Sequence, residues 1–315
     1  MPRTTGRLCR AAIALLAVAA TGCAGPVEWA VPAAAGATAP SAGLTAPSTE
    51  AASPAPSGPV PTTATTGCTV VAAGDIASAD GRAADTARLV ETVAPERVLT
   101  LGDNAYESGT IDQFRAHYEP TWGRFKSITL PAPGNHEYKT GGEGYFAYFG
   151  VPPYYGADVC GWRVLSLNSE IDLRPQADWL RADLAGRSTT PSLAYWHRPR
   201  FSSAEHGSDP DMQPLWAAAV EAGVAVVLTG HDHVYERFGP MNADGVGDPS
   251  GPRQFVIGTG GRSSYRFVGL EPNSEVRITD LPGVGVFQLG ARGYSWSFHG
   301  TDGAIRDSGS AMLGP

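Results

Sequence analysis

The segment Gly230-His231-Asp232-His233-Val234-Tyr235-Glu236-Arg237 is the most informative part of the sequence. It follows the apolar run 224–228, which is typical of a buried strand. Alternate residues of an extended segment point the same way, so His231 and His233 present their imidazoles on one side. Two imidazoles at the end of a strand suit a metal ion, although a His-x-His pair taken alone also arises by chance.

Polar side chains follow apolar runs at four other places in the chain. These places are Gly74-Asp75, Gly102-Asp103-Asn104-Ala105-Tyr106, Gly134-Asn135-His136-Glu137 and Trp196-His197. Because sites in open α/β sheets form at the carboxyl ends of strands, we expect all five segments to point side chains at one region. A Gly-Asp pair after a strand is usually a turn or a helix cap. The prediction of a functional site therefore rests on the five segments together and not on any single pair.

Apolar runs and amphipathic stretches alternate from residue 67 onward, which predicts an α/β fold. Helical spacing is present at 84–93, and 175–185 is predicted to be a helix with Pro at its start. Aromatic and polar residues alternate at 294–299, which is typical of an antiparallel strand. Asp302-Gly303 then predicts a hairpin turn into a strand at 304–307.

The order Asp, Asp-x-x-Tyr, Asn-His, His and His-x-His over residues 72–237 resembles that of the calcineurin-like metallophosphoesterases. The tyrosine makes it similar to the purple acid phosphatase branch of that superfamily. The resemblance implies a metallophosphoesterase-type layered β-sandwich flanked by helices, in the layer order αββα. It also implies a hydrolase that acts on phosphoric ester bonds with two metal ions.

The resemblance further implies two sets of metal ligands that share one carboxylate. The first ion is held by Asp75, Asp103, Tyr106 and His233, and Asp103 bridges to a second ion held by Asn135, His197 and His231. Carboxylates and a phenolate suit a hard ion such as iron(III), whereas neutral imidazoles suit divalent iron, zinc or manganese. A phenol with an ordinary pKa of about 10 needs a strong cation beside it to ionise near neutral pH.

One position separates the branches of the superfamily. Many metallophosphoesterases carry Asp-x-His at the first aspartate, whereas this chain has Ala77 where that histidine would stand. Tyr106 then supplies the missing ligand, and in the purple acid phosphatase branch an iron(III)–tyrosinate bond gives a visible charge-transfer band. The alternative is that Tyr106 packs against the fold and the metal site is incomplete.

Two further histidines are candidate acids that protonate the leaving alkoxide. The resemblance puts His136, which follows the ligand Asn135, near the scissile phosphate. His206 has the spacing from His197 of a substrate-contacting histidine in purple acid phosphatases. The alternative for His206 is a solvent-exposed loop residue.

Charged neighbours of these motifs are candidates for supporting roles. Glu137 and Asp232 are expected to orient neighbouring imidazoles. The glycine-rich run 258–261 is expected to let the backbone approach the site closely. Four nearby arginines could contact phosphate bidentately, and we expect at most one of them to do so. They are Arg198, Arg200, Arg237 and Arg262.

The beginning of the chain resembles the leader of an exported bacterial lipoprotein. Three arginines precede an apolar run at 11–20, which is too short to span a membrane as a helix. Small residues then lead to Cys23, so 1–22 is predicted to be a signal peptide and Cys23 the site of lipidation. The alternative is an ordinary secretory signal. Either leader places the protein outside the cytoplasm, anchored to the cell membrane by lipid or secreted.

Residues 23–66 are rich in Pro, Ala, Ser and Thr without apolar periodicity, so they are predicted to be a disordered tether. The catalytic domain is predicted to occupy 67–315. Within it, Cys68 and Cys160 are a candidate disulfide, because an isolated pair in an exported protein favours one. The alternative is two free buried thiols.

The sequence is compatible with three functions. The leading prediction is hydrolysis of small external phosphate monoesters by a metal-activated hydroxide. A phosphodiesterase or nucleotide hydrolase on the same metal centre is the alternative, and a non-catalytic binding lipoprotein is a third. A net charge of −8 argues against non-specific nucleic-acid binding, which needs a basic surface. The expected partners are therefore a small phosphate ester and, through the N-terminal lipid alone, a membrane.

Overall fold

The computed structural model describes residues 67–187 and 189–314. The predicted signal peptide, the lipidation site Cys23 and the tether up to residue 66 lie outside the described residues and stay predictions. Within the described part, none of the helices combines the length and the apolar character needed to cross a membrane.

The described chain folds into two mixed β-sheets. The strands are β1 (Cys68–Ala73), β2 (Arg97–Leu101), β3 (Thr129–Ala132), β4 (Tyr155–Val159), β5 (Trp162–Ser166), β6 (Ser192–Tyr195), β7 (Val226–Thr229), β8 (Tyr235–Pro240), β9 (Arg253–Ile257), β10 (Ser274–Ile278), β11 (Gly283–Gly290), β12 (Gly293–Gly300) and β13 (Ile305–Met312). One sheet has six strands in the order β13-β12-β11-β1-β2-β3. The other has seven strands in the order β10-β8-β9-β7-β6-β5-β4.

Helices connect many of the strands. They are α1 (Ala83–Val93), α2 (Ile111–Gln113), α3 (Asn135–Tyr138), α4 (Glu143–Phe149), α5 (Leu173–Leu184) and α6 (Gln213–Glu221). A π-helical turn spans Phe114–Tyr118, and 3₁₀ turns span Trp122–Ile128 and Pro210–Met212.

Two hydrophobic cores define the layers. The first contains side chains of both sheets, among them Val70, Phe255 and Trp296, and so fills the space between the sheets. The second joins the seven-stranded sheet to α5 and α6 and contains Leu180 and Trp216. Helix α1 packs against the six-stranded sheet. The predicted β-sandwich flanked by helices is therefore confirmed.

Parallel pairing brings the polar residues to one end of the fold. Strands β1, β2 and β3 are parallel neighbours in one sheet, and β5, β6, β7 and β9 are parallel neighbours in the other. Strands β1, β2 and β7 are buried almost throughout. This explains why their sequences are continuous apolar runs that do not alternate between apolar and polar residues. The next polar residues along the chain are the predicted ligands Asp75, Asp103 and His231.

The structure differs from the sequence predictions in several elements. The predictions missed β3, β4, β8, β10 and β11. Of these, β3, β4 and β10 are short or half-exposed runs that carry weak periodicity. Helix α5 begins at Leu173 and not at Pro175, because Asp172 caps it by accepting a hydrogen bond from the Arg174 N–H at 3.1 Å. The alternating strand at 294–299 and the hairpin turn after it are present as predicted, as β12 and β13.

A disulfide joins Cys68 at the start of β1 to Cys160, which lies between β4 and β5. The two Cα atoms are 6.0 Å apart, and the cysteines are separated by 92 positions in sequence. The bond therefore links the six-stranded sheet to the edge of the seven-stranded sheet and closes a long loop.

Replacing both cysteines by serine (Cys68→Ser with Cys160→Ser) is expected to lower the free energy of unfolding by about 2–5 kcal/mol, because a long loop gains chain entropy when it is released. Urea denaturation monitored by tryptophan fluorescence measures the change. Added thiol should shift the wild-type midpoint towards that of the double variant and leave the variant unmoved. Equal midpoints for both proteins would contradict a constraining bond.

Candidate metal centre

Three of the predicted ligands lie in strained backbone. Asp75, Asp103 and His231 have φ values of 61°, 49° and 71°, in the left-handed region that few non-glycine residues adopt. Each lies two residues after the end of a strand, β1, β2 or β7. Strain of this kind costs about 1–3 kcal/mol per residue and persists only where surrounding contacts hold it. The strand ends thus turn sharply and aim these side chains inward.

The two aspartates each use one carboxylate oxygen to hold a neighbouring loop. The His231 N–H donates to Asp75 Oδ2 at 2.8 Å, and the His136 N–H donates to Asp103 Oδ1 at 2.8 Å. The other oxygen of each carboxylate, Oδ1 of Asp75 and Oδ2 of Asp103, is left to face the remaining predicted ligands.

The first set of donor atoms surrounds the hydroxyl of Tyr106. Its Oη lies 2.9 Å from Asp75 Oδ1, 3.1 Å from Asp103 Oδ2 and 3.3 Å from His233 Nε2. His233 Nε2 is itself 3.3 Å from Asp75 Oδ1. The four side chains that the resemblance assigns to the first ion therefore converge, with the Tyr106 hydroxyl among them.

The second set of donor atoms surrounds His197. Its Nε2 lies 3.4 Å from Asp103 Oδ2, 3.0 Å from Asn135 Oδ1 and 3.2 Å from His231 Nδ1. On the other side of the ring, Nδ1 is 2.8 Å from the carbonyl oxygen of Leu101. A histidine held through one nitrogen in this way offers the other nitrogen as a ligand. Asp103 Oδ2 is common to both sets.

The spacing of these donor atoms fits metal coordination. Ligand atoms about 2.0–2.2 Å from an ion stand about 2.8–3.6 Å apart in octahedral or tetrahedral geometry. The separations given above all fall in that range. Asp75, Asp103 and His197 also form a buried group whose ligand atoms lie within 4.8 Å of one another. The residues present therefore fit two ions that share Asp103.

The charges in the site also favour a cation. Burial, together with the negative charges of Asp103 and Asp75, raises the pKa of Tyr106 well above its ordinary value, so the phenol ionises only beside a strong positive charge. Burial lowers the pKa of His197, but the charge of Asp103 and its hydrogen bond outweigh burial and raise that pKa to about 10. Without metal, a proton on His197 supplies the positive charge that Asp103 needs. A metal ion between the two would supply it instead.

Glu137 is buried and joins two of the loops that carry predicted ligands. Its Oε1 accepts from the N–H of Asn104 at 2.8 Å and of Ala105 at 3.1 Å, and its Oε2 accepts from the N–H of Gly134 at 2.8 Å. This carboxylate therefore fixes the loop after β2 against the loop after β3.

Asp232 has the corresponding role on the other side of the site. Its carboxylate accepts from the His206 N–H at 2.9 Å and from the hydroxyl of Ser202. The sequence predicts that Glu137 and Asp232 orient imidazoles directly. In the structure both carboxylates instead accept hydrogen bonds from backbone N–H groups. They therefore position the predicted ligands and acids indirectly, by fixing the backbone that carries them.

The ring of His136 lies at the edge of the first set. Its Nε2 is 3.8 Å from Asp103 Oδ2, and its Nδ1 is 2.8 Å from the carbonyl oxygen of Glu107. The ring packs against that of Tyr106, with 4.3 Å between centroids. Nε2 therefore faces the centre while Nδ1 is held from behind.

His206 is exposed, as its alternative interpretation predicts, but it also lies beside the centre. Its ring stacks on that of His231 with 4.3 Å between centroids and 18° between planes. The structure therefore brings His206 next to one of the predicted ligands, on the solvent side.

Two of the four candidate arginines flank the centre. Arg198 Nη1 is 3.5 Å from His231 Nε2, and Arg198 Nε donates to Glu170 at 2.9 Å. The guanidinium of Arg262 lies 5.1 Å from the centre of the Tyr106 ring.

The other two candidate arginines bind groups elsewhere in the fold. Arg200 donates to Gln213 at 2.7 Å, and Arg237 donates to Asp307 at 2.8 Å. The Arg237–Asp307 pair joins β8 of one sheet to β13 of the other, so its role is to hold the sheets together.

Sequence analysis missed two residues that contact His233. Tyr265 stacks on its ring with 3.9 Å between centroids and 6° between planes, and Ser263 Oγ is 3.4 Å from His233 Nδ1. Neither residue belongs to a motif. The sequence signal for both is that they lie within four residues after the glycine-rich run 258–261, which was expected to lie close to the site.

Glycines let the backbone approach the two aspartates. A Cβ on Gly134 would lie 2.5 Å from the backbone nitrogen of Asp103, and a Cβ on Gly258 would lie 2.8 Å from Asp75 Oδ2. Real Cβ atoms essentially never approach other heavy atoms so closely. The close approach expected of the run 258–261 is therefore present, and Gly134 provides a second one.

Comparison with known proteins is consistent with this site. A sequence profile described as calcineurin-like phosphoesterase matches residues 68–235, which is more than half of the chain. Purple acid phosphatase 18 of Arabidopsis thaliana is 37% identical over 117 residues, which are 34% of this chain and 26% of that protein. Purple acid phosphatase 22 of the same plant is 28% identical over 220 residues, 58% of this chain and 50% of that protein. The chain thus spans half or less of the length of these relatives.

Solved structures share the fold. The purple acid phosphatase PPD1 from yellow lupin seeds matches with a TM-score of 0.63 and 21% identity, over 78% of this chain and 53% of that chain. GAP50, the anchor in the inner membrane complex of Plasmodium, matches with a TM-score of 0.62 and 12% identity, over 78% of this chain and 89% of that chain. At these identities the likeness extends to the fold alone.

Replacing Gly134 by alanine is expected to displace Asp103 and to reduce the metal content of the purified chain by at least half, because the added methyl occupies the place of the aspartate. Mass spectrometry of the bound metals measures the content. Gly186→Ala is the matched control, since no heavy atom of the described residues lies within 4 Å of a Cβ at Gly186. Equal metal content in the two variants would show that metal binding does not depend on the close packing of Gly134 against Asp103.

Proposed function

We propose that this chain, which belongs to the calcineurin-like phosphoesterase family, hydrolyses phosphate monoesters with two metal ions. The observation that carries the proposal is the position of Asp103 Oδ2. It lies 3.1 Å from Tyr106 Oη in the first set of donors and 3.4 Å from His197 Nε2 in the second. One carboxylate oxygen between two sets of ligands is an arrangement that suits a pair of closely spaced ions.

The chemistry of the two sets favours different ions. The first set has two carboxylates and the phenol of Tyr106, which suit iron(III). The second has Asn135 and two imidazoles with Asp103, which suit divalent iron, zinc or manganese. When bound, two such ions activate a water and hold the phosphoryl oxygens for in-line attack.

The remaining steps rest on groups of the chain itself. His136 Nε2 faces the centre 3.8 Å from Asp103 Oδ2, so it can deliver a proton to an ester oxygen bound there. His206 stacks on His231 from the solvent side and is the second candidate donor. The buried carboxylate of Glu137 keeps the loops behind these groups fixed, which preserves their alignment during the reaction.

The proposed location is outside the cytoplasm. The Cys68–Cys160 disulfide supports it, because such bonds persist mainly in oxidising compartments. The leader-like sequence that ends at Cys23 supports it independently. A phosphatase held outside the cell would act on external phosphate esters.

Asp103→Ala is expected to lower turnover of p-nitrophenyl phosphate by about 10²-fold or more, because it removes the oxygen shared by both sets of ligands. Steady-state kinetics of the chain supplied with iron plus zinc or manganese measure the loss. Asp112→Ala is the matched control, since the Asp112 side chain is 89% exposed and forms its ion pair, at 3.5 Å, with Arg115.

The same assay separates the alternatives when bis(p-nitrophenyl) phosphate is added as a second substrate. Faster turnover of the diester would replace the proposal with a phosphodiesterase. A chain that binds two metal ions per molecule and hydrolyses neither ester would contradict the catalytic proposal and favour a binding lipoprotein.

Tyr106→Phe is expected to abolish the visible charge-transfer band of the iron-loaded chain, because the phenolate ligand is lost. Absorption spectroscopy measures the band. Tyr118→Phe is the matched control: Tyr118 is equally buried, but its hydroxyl has no hydrogen-bond partner among the described residues and lies outside both sets of ligands. A band that survives in Tyr106→Phe would exclude the tyrosine-ligated centre.

A further inference from the structure

A recess of about 360 Å³ opens beside the metal centre. Its polar lining comes from three segments of the chain, the turn before α1, the segment after the glycine-rich run, and the turn after β10. The lining side chains used below are Asp80, Arg82, Arg262, Ser263, Ser264 and Asp280. The volume lies within the range of small-molecule pockets, about 300–1,000 Å³.

Two of the lining residues also contact predicted metal ligands. The guanidinium of Arg262 lies 5.1 Å from the centre of the Tyr106 ring, and Ser263 Oγ is 3.4 Å from His233 Nδ1. The recess is therefore next to the first set of donors. A group attached to a phosphate at the centre can extend directly into it.

Backbone hydrogen bonds hold the recess in shape. The Arg262 N–H donates to the carbonyl oxygen of Asp75 at 2.9 Å, and the Arg82 N–H donates to that of Gly261 at 2.6 Å. The Arg262 guanidinium is held from two sides, by Asp80 at 2.9 Å and by Glu107 at 2.6 Å. The walls are thus fixed relative to the turn after β1 that carries Asp75.

The lining contains negatively charged carboxylates, positively charged guanidiniums and neutral hydroxyls. Asp80 and Asp280 disfavour an anionic group, and Arg82 and Arg262 disfavour a cationic one. Few apolar side chains are available to an aryl or alkyl group in this lining. Arg262 is already paired with Asp80 and Glu107, and Arg82 with Asp85, so these charges are balanced within the protein. A group with several hydroxyls can donate to the carboxylates and exchange hydrogen bonds with the serine hydroxyls without breaking those pairs.

We propose that the recess binds the leaving group of the substrate and that this group is a polyhydroxylated alcohol, which makes sugar and polyol phosphates the substrate class. This inference rests on the proposed phosphatase function. In the reaction the bond between phosphorus and the sugar oxygen breaks, the oxygen of a water forms the new bond to phosphorus, and a proton passes to the sugar oxygen. Free sugar and inorganic phosphate leave.

The test compares glucose 6-phosphate with n-butyl phosphate, because both release a primary alcohol and differ in hydroxyl groups. The full chain supplied with iron and zinc is expected to show a kcat/KM at least about tenfold higher for glucose 6-phosphate, equivalent to one or two hydrogen bonds to charged groups. Ser264→Leu, which places an apolar side chain in the recess, is expected to reduce that preference about tenfold. Asp80→Asn should reduce it less, because Asp80 is largely exposed.

Ser127→Leu is the matched control, since Ser127 is exposed and lies just before the amino end of β3, away from the centre. It should leave the preference unchanged. Turnover of n-butyl phosphate by Ser127→Leu should stay within about twofold of wild type. If the wild-type chain turned over neither ester, the result would count against the phosphatase function itself and not against the recess.

A binding measurement separates recognition from turnover. Saturation-transfer difference NMR on the full chain without added metal should show contacts from the sugar protons of glucose 6-phosphate that weaken in Ser264→Leu and persist in Ser127→Leu. Equal kcat/KM values for the two esters in wild type, or sugar contacts unchanged in Ser264→Leu, would overturn the assignment of the recess.

Discussion

The carboxylate of Asp103 is the interaction on which the rest of the site depends. Its Oδ1 holds the loop after β3 through the His136 N–H, and its Oδ2 is shared by both sets of donors. Asp103 follows β2 of one sheet, whereas His197 follows β6 of the other. The shared oxygen therefore also lies where the two sheets meet.

This position constrains the surrounding backbone. Left-handed φ values at Asp75 and Asp103 turn the chain immediately after the strands, and glycines beside both aspartates leave room for the carboxylates. The buried carboxylate of Glu137 then ties the loops together through backbone amides. Such a site tolerates little rearrangement, which is what a reaction that depends on alignment requires.

The fold and the convergence of the site follow largely from the sequence. Apolar runs that stop at a Gly-Asp, a His or a His-x-His identify parallel strand ends, and parallel strands place those ends together. Strand β11 was missed because its pairing with β1 joins segments more than 200 residues apart, and no local pattern reports that. The stacking of Tyr265 on His233 and the backbone contacts of Glu137 depend on how loops fold back, so they also required the structure.

The most direct test is a crystal structure of the chain grown with iron and zinc, with anomalous diffraction recorded at both absorption edges. The account predicts two peaks about 3.5–4 Å apart on either side of Asp103 Oδ2, with iron beside Tyr106 and the divalent ion beside His197. A single peak, or two peaks that do not share Asp103, would contradict it.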